Sequence, residues 1–110
     1  MNDYEVIFHP EAKKGFNQLD GSIRKVVLKQ MLKLQKKPNL GETLGNKAGF
    51  DLTGYRKMYA YKKKIRIVYR IHEGKLLIFI IAVGSRKEMA VYRDAYERKK
   101  DKPSNSRYTF

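Results

Sequence analysis

A chain of 110 residues is long enough for one domain with one modest core. It carries 25 Lys and Arg against 11 Asp and Glu, a formal net charge of +14, and so calls for an anionic partner: nucleic acid, an anionic membrane surface or an acidic protein. The lack of cysteine excludes disulfides, thiolate catalysis and cysteine-held metals, and makes a reducing cytoplasm the expected location.

Two histidines, His9 and His72, are too few for a zinc site, so no metal and no cofactor is expected. No apolar run approaches about 18 residues, and Met1-Asn2-Asp3-Tyr4 leads into no apolar stretch, so neither a membrane span nor a secretory signal is expected.

Residues 4–8 alternate Tyr4, Val6 and Phe8 and read as a short strand. Pro10 pre-sets the backbone for a helix with His9 at its start and Ala12, Phe16 and Leu19 on one face. Asp20-Gly21-Ser22 ends that helix and caps the next. There Ile23, Val27, Met31 and Leu34 form an apolar stripe, while Arg24, Lys25, Lys29, Lys33, Lys36 and Lys37 stay in water until Pro38 stops the helix. Residues 39–50, rich in Gly and Asn, read as a loop.

Beyond Asp51 the period becomes two: Met58 and Ala60 alternate with Lys57, Tyr59 and Tyr61. Lys62, Lys63 and Lys64 make a turn, after which Ile65, Ile67, Tyr69 and Ile71 alternate with Arg66, Val68 and Arg70. Glu73-Gly74 reads as a hairpin turn, with His72 solvated beside it. Residues 76–83, apolar on both faces, predict a central strand. A helical pattern over residues 85–99 is marked by Met89, Tyr92 and Tyr96, with Glu88 complementing the dipole in its first turn. The order β-α-α-β-β-β-α predicts an α+β fold, a helical hairpin packed on a small, mostly antiparallel sheet. Residues 1–100 form the single domain, and residues 101–110, polar and containing Pro103, a flexible tail.

Alternation also sorts side chains by face. With Met58 and Ala60 turned toward the helices, Lys57, Tyr59 and Tyr61 turn away, and Arg66 and Arg70 join them from the next strand. Arg86 leaves the apolar strand at its end, and Tyr92 follows about two helical turns later. A basic face interleaved with tyrosines suits phosphates and bases. A merely solvated face of a lysine-rich protein would have the same composition. The signatures G-x-x-x-x-G-K-[ST], G-x-S-x-G and H-E-x-x-H are absent, Gly41, Gly45 and Gly49 are too loosely spaced for a phosphate loop, and the basic face has no carboxylate pair.

The opening "VIFHPEAKK", the strand "KIRIVYRI" at 64–71, the Glu-Gly turn and "LLIFIIAVGSRKEMAVY" at 76–92 occur in an order that resembles the RelE/ParE superfamily of bacterial toxins over residues 4–98. The most specific part is the strand running into Gly-x-Arg and a helix that ends in "VY". The chain is similar to the RelE branch, whose members cut messenger RNA on the ribosome; ParE-like members instead poison DNA gyrase. The resemblance to RelE implies site roles for Arg66, Arg86 and Tyr92, and a gap-free count back from Arg66 adds Lys57 and Tyr59. Tyr59 stands where RelE has a lysine, and Arg56 or Lys63 would compensate were the hairpin shifted. Arg56, Lys63, Arg70 and Lys87 are the further cations implied to hold RNA.

On that resemblance the chain is the toxin of a type II toxin–antitoxin pair and a ribosome-dependent messenger RNA endonuclease. The RNA's own 2′-hydroxyl attacks the adjacent phosphorus. Lys57 with Tyr59 serves that hydroxyl, the cation cluster lowering the pKa of one of them so that it acts as base. Arg66 serves the phosphorane, Arg86 the leaving group, and Tyr92 stacks on or orients the base. The implied partners are an acidic antitoxin protein, the ribosome and its messenger RNA, with operator DNA met only through the antitoxin complex. A non-enzymatic gyrase poison of the ParE kind and a basic RNA-binding module without activity remain the alternatives.

Overall fold

A computed structural model of the chain describes residues 3–87 and 89–103. In chain order the elements are β1 (Glu5–Phe8), α1 (Pro10–Asn17), α2 (Gly21–Leu32), β2 (Glu42–Thr43), β3 (Asn46–Lys47), β4 (Phe50–Asp51), β5 (Tyr55–Ala60), β6 (Ile65–His72), β7 (Leu77–Ser85) and α3 (Ala90–Glu97). Single helical turns lie at Lys33–Gln35, Pro38–Leu40, Glu73–Lys75 and Arg98–Lys100. The main sheet has the order β1-β7-β6-β5-β2, with β1 parallel to β7 and the remaining pairs antiparallel. The expected α+β arrangement is the one observed. β7, apolar on both faces, is flanked on both sides. No described helix is long and apolar enough to cross a membrane.

Two apolar layers follow from the period-two pattern. On one face Val6, Phe8, Met58, Ala60, Ile67, Tyr69, Ile78 and Ile80 meet Ala12 and Phe16 of α1 and Val27 and Met31 of α2. Leu34 extends that stripe into the helical turn, and Ile23 packs at its margin. On the other face Ile7, Val68, Phe79 and Ile81 meet Val91, Tyr92 and Ala95 of α3. The lysines of α2 and the turn after it remain exposed.

Alternation breaks once, in β7. Ile81 and Ala82 both face α3, and the register passes from Val68–Ala82 to Tyr69–Ile80. This bulge resets the strand beyond it, so that Val83 turns to the α1 side and Gly84 comes opposite Arg66. A Cβ on Gly84 would lie 2.7 Å from Val91 Cγ2, so only glycine allows α3 to sit this close to the strand. Gly84→Ala is expected to lower stability by about 1–3 kcal/mol through overpacking. A lower urea midpoint at constant m-value would show it.

Several expectations need correction. Residues 39–50 are not a plain loop: they hold β2, which extends the main sheet, and the β3–β4 hairpin, turned at Ala48 and Gly49 with φ 53 and 83. Tyr61 does not join Lys57 on the open face. It begins a turn in which Tyr61, Lys62 and Lys63 are all left-handed, and its ring packs on the α1–α2 side. His72 is not solvated. It is half-buried with its ring 6.3 Å from that of Phe79, and burial, then the charges of Arg70 and Lys75, push its pKa down. Ser85 still belongs to β7, and α3 starts at Ala90.

Asp20 does precede α2, but its carboxylate accepts from Ser22 Oγ at 2.7 Å instead of from the helix backbone. His9 starts α1 as expected: its Nδ1 accepts the Glu11 N–H at 3.1 Å. Nε2 therefore carries the ring proton and donates to Asp101 Oδ2 at 2.7 Å, which ties residue 101 to the body of the fold. The rest of the expected tail from residue 104 onward, and Glu88, lie outside the described residues.

Candidate active site

The register of the central strands builds the site. Tyr59 pairs with Arg66 and Arg66 with Gly84, so the three stand in a row across β5, β6 and β7. Lys57 lies two residues along β5 on the same face. Arg86 follows the end of β7, where its backbone N–H donates to the Lys64 carbonyl at 2.9 Å and fastens the strand exit to the basic turn. The β5–β6 register sets Lys57 opposite Val68 and Tyr59 opposite Arg66, so the two side chains share a face with Arg66.

Tyr59 is the centre of the cluster. Lys57 Nζ donates to its hydroxyl at 3.0 Å. The guanidinium carbons of Arg86 and Arg66 lie 5.1 and 5.8 Å from its ring centroid. Arg66 is 6% exposed and rests on the Tyr92 ring at 4.3 Å. Tyr92 is itself only 3% exposed, so its ring supports Arg66 and is not open to a base.

These contacts divide the titration of the Lys57–Tyr59 pair. The Lys57 hydrogen bond, then that from Arg66 and the charges of both, bring the Tyr59 hydroxyl down to about 8 despite some desolvation. The same hydrogen bond to Tyr59 is the largest cause that pushes Lys57 up. Of the two groups of which one was expected to be lowered, Tyr59 is the one lowered, while Lys57 is pushed up and stays an ammonium. Tyr59 is the group made ready to ionise. Tyr69 provides a contrast: buried in the other layer, its pKa is raised by desolvation.

The further cations are dispersed. Arg56 sits between Tyr55 and Lys57 and turns its guanidinium to the loop backbone, donating to the Gly41 carbonyl at 2.7 Å. Lys63 is exposed in the left-handed turn. Arg70 is exposed farther along β6, 5.5 Å from the Tyr55 ring. Lys87 neighbours Arg86, and the two line an open pocket of about 490 Å³ with Ser85 and Lys62, Lys63 and Lys64. A larger cleft of about 680 Å³ adjoins Lys57 and Tyr59 on the other side, lined by Lys33, Lys36, Lys37, Leu40 and Gly41. Sequence reading left those lysines as wet helix surface; the signal available was their run beyond the apolar stripe. Among the described residues no group of His, Asp and Glu is placed to hold a metal.

Residues 6–90 match a family described as ParE toxin of type II toxin–antitoxin system, parDE. A RelE-like toxin protein of Escherichia coli is 30% identical over 98 residues, covering 86% of this chain and 96% of the relative. The mRNA interferase toxin RelE of Escherichia coli is 28% identical over the same length and coverage. A mutant of the Escherichia coli RelE toxin, solved in the free state, has a TM-score of 0.73 at 22% identity, covering 88% of this chain and 98% of that one. A chain of the intact Escherichia coli RelBE toxin–antitoxin complex has a TM-score of 0.64 at 21% identity, covering 77% and 99%. The structures speak for the fold, and the family match and the 30% relative, both spanning most of the chain, speak for descent: the chain belongs to the RelE/ParE superfamily of toxins of type II toxin–antitoxin systems.

Proposed function

We propose that this toxin is an endoribonuclease that cuts messenger RNA in the decoding site of the ribosome. The observation that carries the reading is the Tyr59 hydroxyl, held at 3.0 Å by Lys57 among the guanidiniums of Arg66 and Arg86. The naming of a relative as an mRNA interferase supports it. Tyrosinate at position 59 takes the proton from the RNA 2′-hydroxyl. The 2′-oxygen then bonds to phosphorus, and the bond to the 5′-oxygen of the next nucleotide breaks, leaving a 2′,3′-cyclic phosphate. Lys57 favours the ionised form of Tyr59. Arg66, backed by the Tyr92 ring, stabilises the crowded phosphorane. Arg86 stabilises the departing 5′-oxygen, which takes its proton from water, since a guanidinium does not give one up.

One free tyrosinate and two arginines position RNA poorly by themselves, so docking on the ribosome supplies the alignment. Primer extension on messenger RNA translated in vitro with the purified chain tests the reading. Cuts confined to the decoding site are expected; intact transcripts would overturn it. Arg86 is exposed, so Arg86→Ala is expected to fold and to lower kcat by about 10² with little change in ribosome binding. A loss found in binding instead, and shrinking at low salt, would make Arg86 a phosphate anchor.

The family that matches is that of ParE, which favours a second reading, a gyrase-directed toxin. Such a protein has no use for an ionised tyrosine among arginines. It would leave translated transcripts whole and inhibit DNA supercoiling. In either case an acidic antitoxin neutralises the +14 charge, and the complex carries any contact with operator DNA.

A further inference from the structure

The cleft beside Lys57 and Tyr59 is a built feature. Its wall, the turn Pro38–Leu40 and Gly41, is fixed from beneath: Gly41 N–H donates to the Tyr69 hydroxyl at 2.8 Å, and that hydroxyl donates to the Pro38 carbonyl at 2.7 Å. Arg56 holds the Gly41 carbonyl from the side at 2.7 Å. A Cβ at Gly41 would meet the Lys57 carbonyl oxygen at 2.6 Å and the Tyr69 hydroxyl at 2.7 Å, so the wall closes only on glycine. Leu40, 45% exposed, and Met58 supply apolar surface inside. Lys33, Lys36 and Lys37 stand along the rim with one carboxylate, Glu42.

The strand edge within the cleft is open. β2 pairs only Glu42 and Thr43 with Lys57 and Arg56, and no described strand covers β5 beyond them. Leu44 N–H donates to the Tyr55 carbonyl, so the odd-numbered residues of β5 turn their backbone groups to this edge. The N–H and C=O of Tyr59 therefore point outward into the cleft. An apolar bed, a donor–acceptor pair and a lysine rim are what a single-stranded nucleotide needs: surface for the base, partners for its edge and cations for its phosphate.

We propose that this cleft is a nucleotide subsite for the ribonucleotide on the 5′ side of the cleaved bond. The inference rests on the endoribonuclease reading, and the polarity follows from it. The attacking 2′-hydroxyl belongs to the upstream nucleotide and must reach Tyr59, which with Lys57 forms one wall of the cleft. Arg86, on the leaving-group side, lies away from it and lines the other pocket. The upstream base lies against Leu40 and Met58 and meets the open backbone of Tyr59. Lys33, Lys36 and Lys37 hold the phosphates that precede it.

The test uses full-length variants outside the catalytic cluster on ribosomes translating a transcript with randomised codons, with all cut ends sequenced. Leu40→Trp, at an exposed position, fills the bed and is expected to narrow the range of bases immediately 5′ of the cuts. The variant lacking all three lysines (Lys33→Ala, Lys36→Ala, Lys37→Ala) is expected to raise KM about tenfold at constant kcat and to reduce the slope of log KM against log salt by about two. Changed preference on the 3′ side only, or two variants that cut like the parent, would overturn the subsite. A parent that cuts nothing would instead sink the endoribonuclease reading. Should Leu40→Trp fail to fold, checked by its thermal melt, the lysine variant still decides between these outcomes.

Discussion

Tyr59→Phe is expected to lower messenger RNA cleavage on ribosomes by about 10²–10⁴ and to abolish its rise with pH. The sign follows from the role. In the proposed role Tyr59 acts in its ionised form, and its pKa lies at about 8, so about one hydroxyl in ten is ionised at pH 7. Activity should climb roughly tenfold per pH unit below 8 and level off above it. Phenylalanine keeps the ring between the arginines but removes the oxygen, so the limb should vanish while the fold survives. Tyr59→Lys should retain more activity than phenylalanine, because its ammonium, beside Lys57, Arg66 and Arg86, is pushed down toward a usable base. An opposite profile, with activity falling above pH 8, would make the hydroxyl a proton donor and exchange the assigned roles.

Arg66 separates catalysis from stability most sharply. Arg66→Met is expected to cost 10²–10³ in cleavage at roughly constant stability. A 6% exposed guanidinium has given up most of its hydration. The Tyr92 ring at 4.3 Å returns about 2 kcal/mol of that as a cation–π contact, and Tyr59 also meets the guanidinium. An apolar side chain of similar volume avoids the desolvation and keeps the packing, so the chain loses little by the exchange. In the proposed mechanism that charge serves the phosphorane. Arg66→Lys should fare nearly as badly in cleavage, because an ammonium neither lies flat on Tyr92 nor offers two parallel donors to a phosphate. Urea denaturation read beside the kinetics makes the distinction: a steep stability loss in the methionine variant would reassign Arg66 to the scaffold.

The face of the site was legible because Ile65, Ile67 and Tyr69 alternate strictly with Arg66, Val68 and Arg70, and one face is fully buried. That pattern allows one phase only. The depth of Arg66 was not legible, since a basic residue on an outward position reads as solvated until α3 is laid over it. Gly84 held the clue, but its meaning depends on Val91 arriving from elsewhere in the chain. The bulge was hidden because Ile81 and Ala82 are apolar either way. The strands of residues 42–51 are two residues long, too short to show any period. The loop contact of Arg56 was not legible for a related reason: at an edge strand a long side chain can reach backbone beyond the sheet, and Gly41 offers it a carbonyl.

The parallel pairing of β1 with β7 has a consequence for the order of assembly. Residues 5–8 leave synthesis some seventy residues before their partners at 77–80. Until β7 emerges, β1 has no strand to join and its apolar side chains lack their layer. The hairpin of β5 and β6 closes locally and early, but Arg66 gains its cover only when α3 folds back across Gly84. Tyr92, the ring beneath Arg66, therefore arrives after the β5–β6 hairpin. A nascent copy whose α3 has not yet emerged holds Lys57, Tyr59 and Arg66 without that support, and the cluster is completed only once α3 has packed on the sheet.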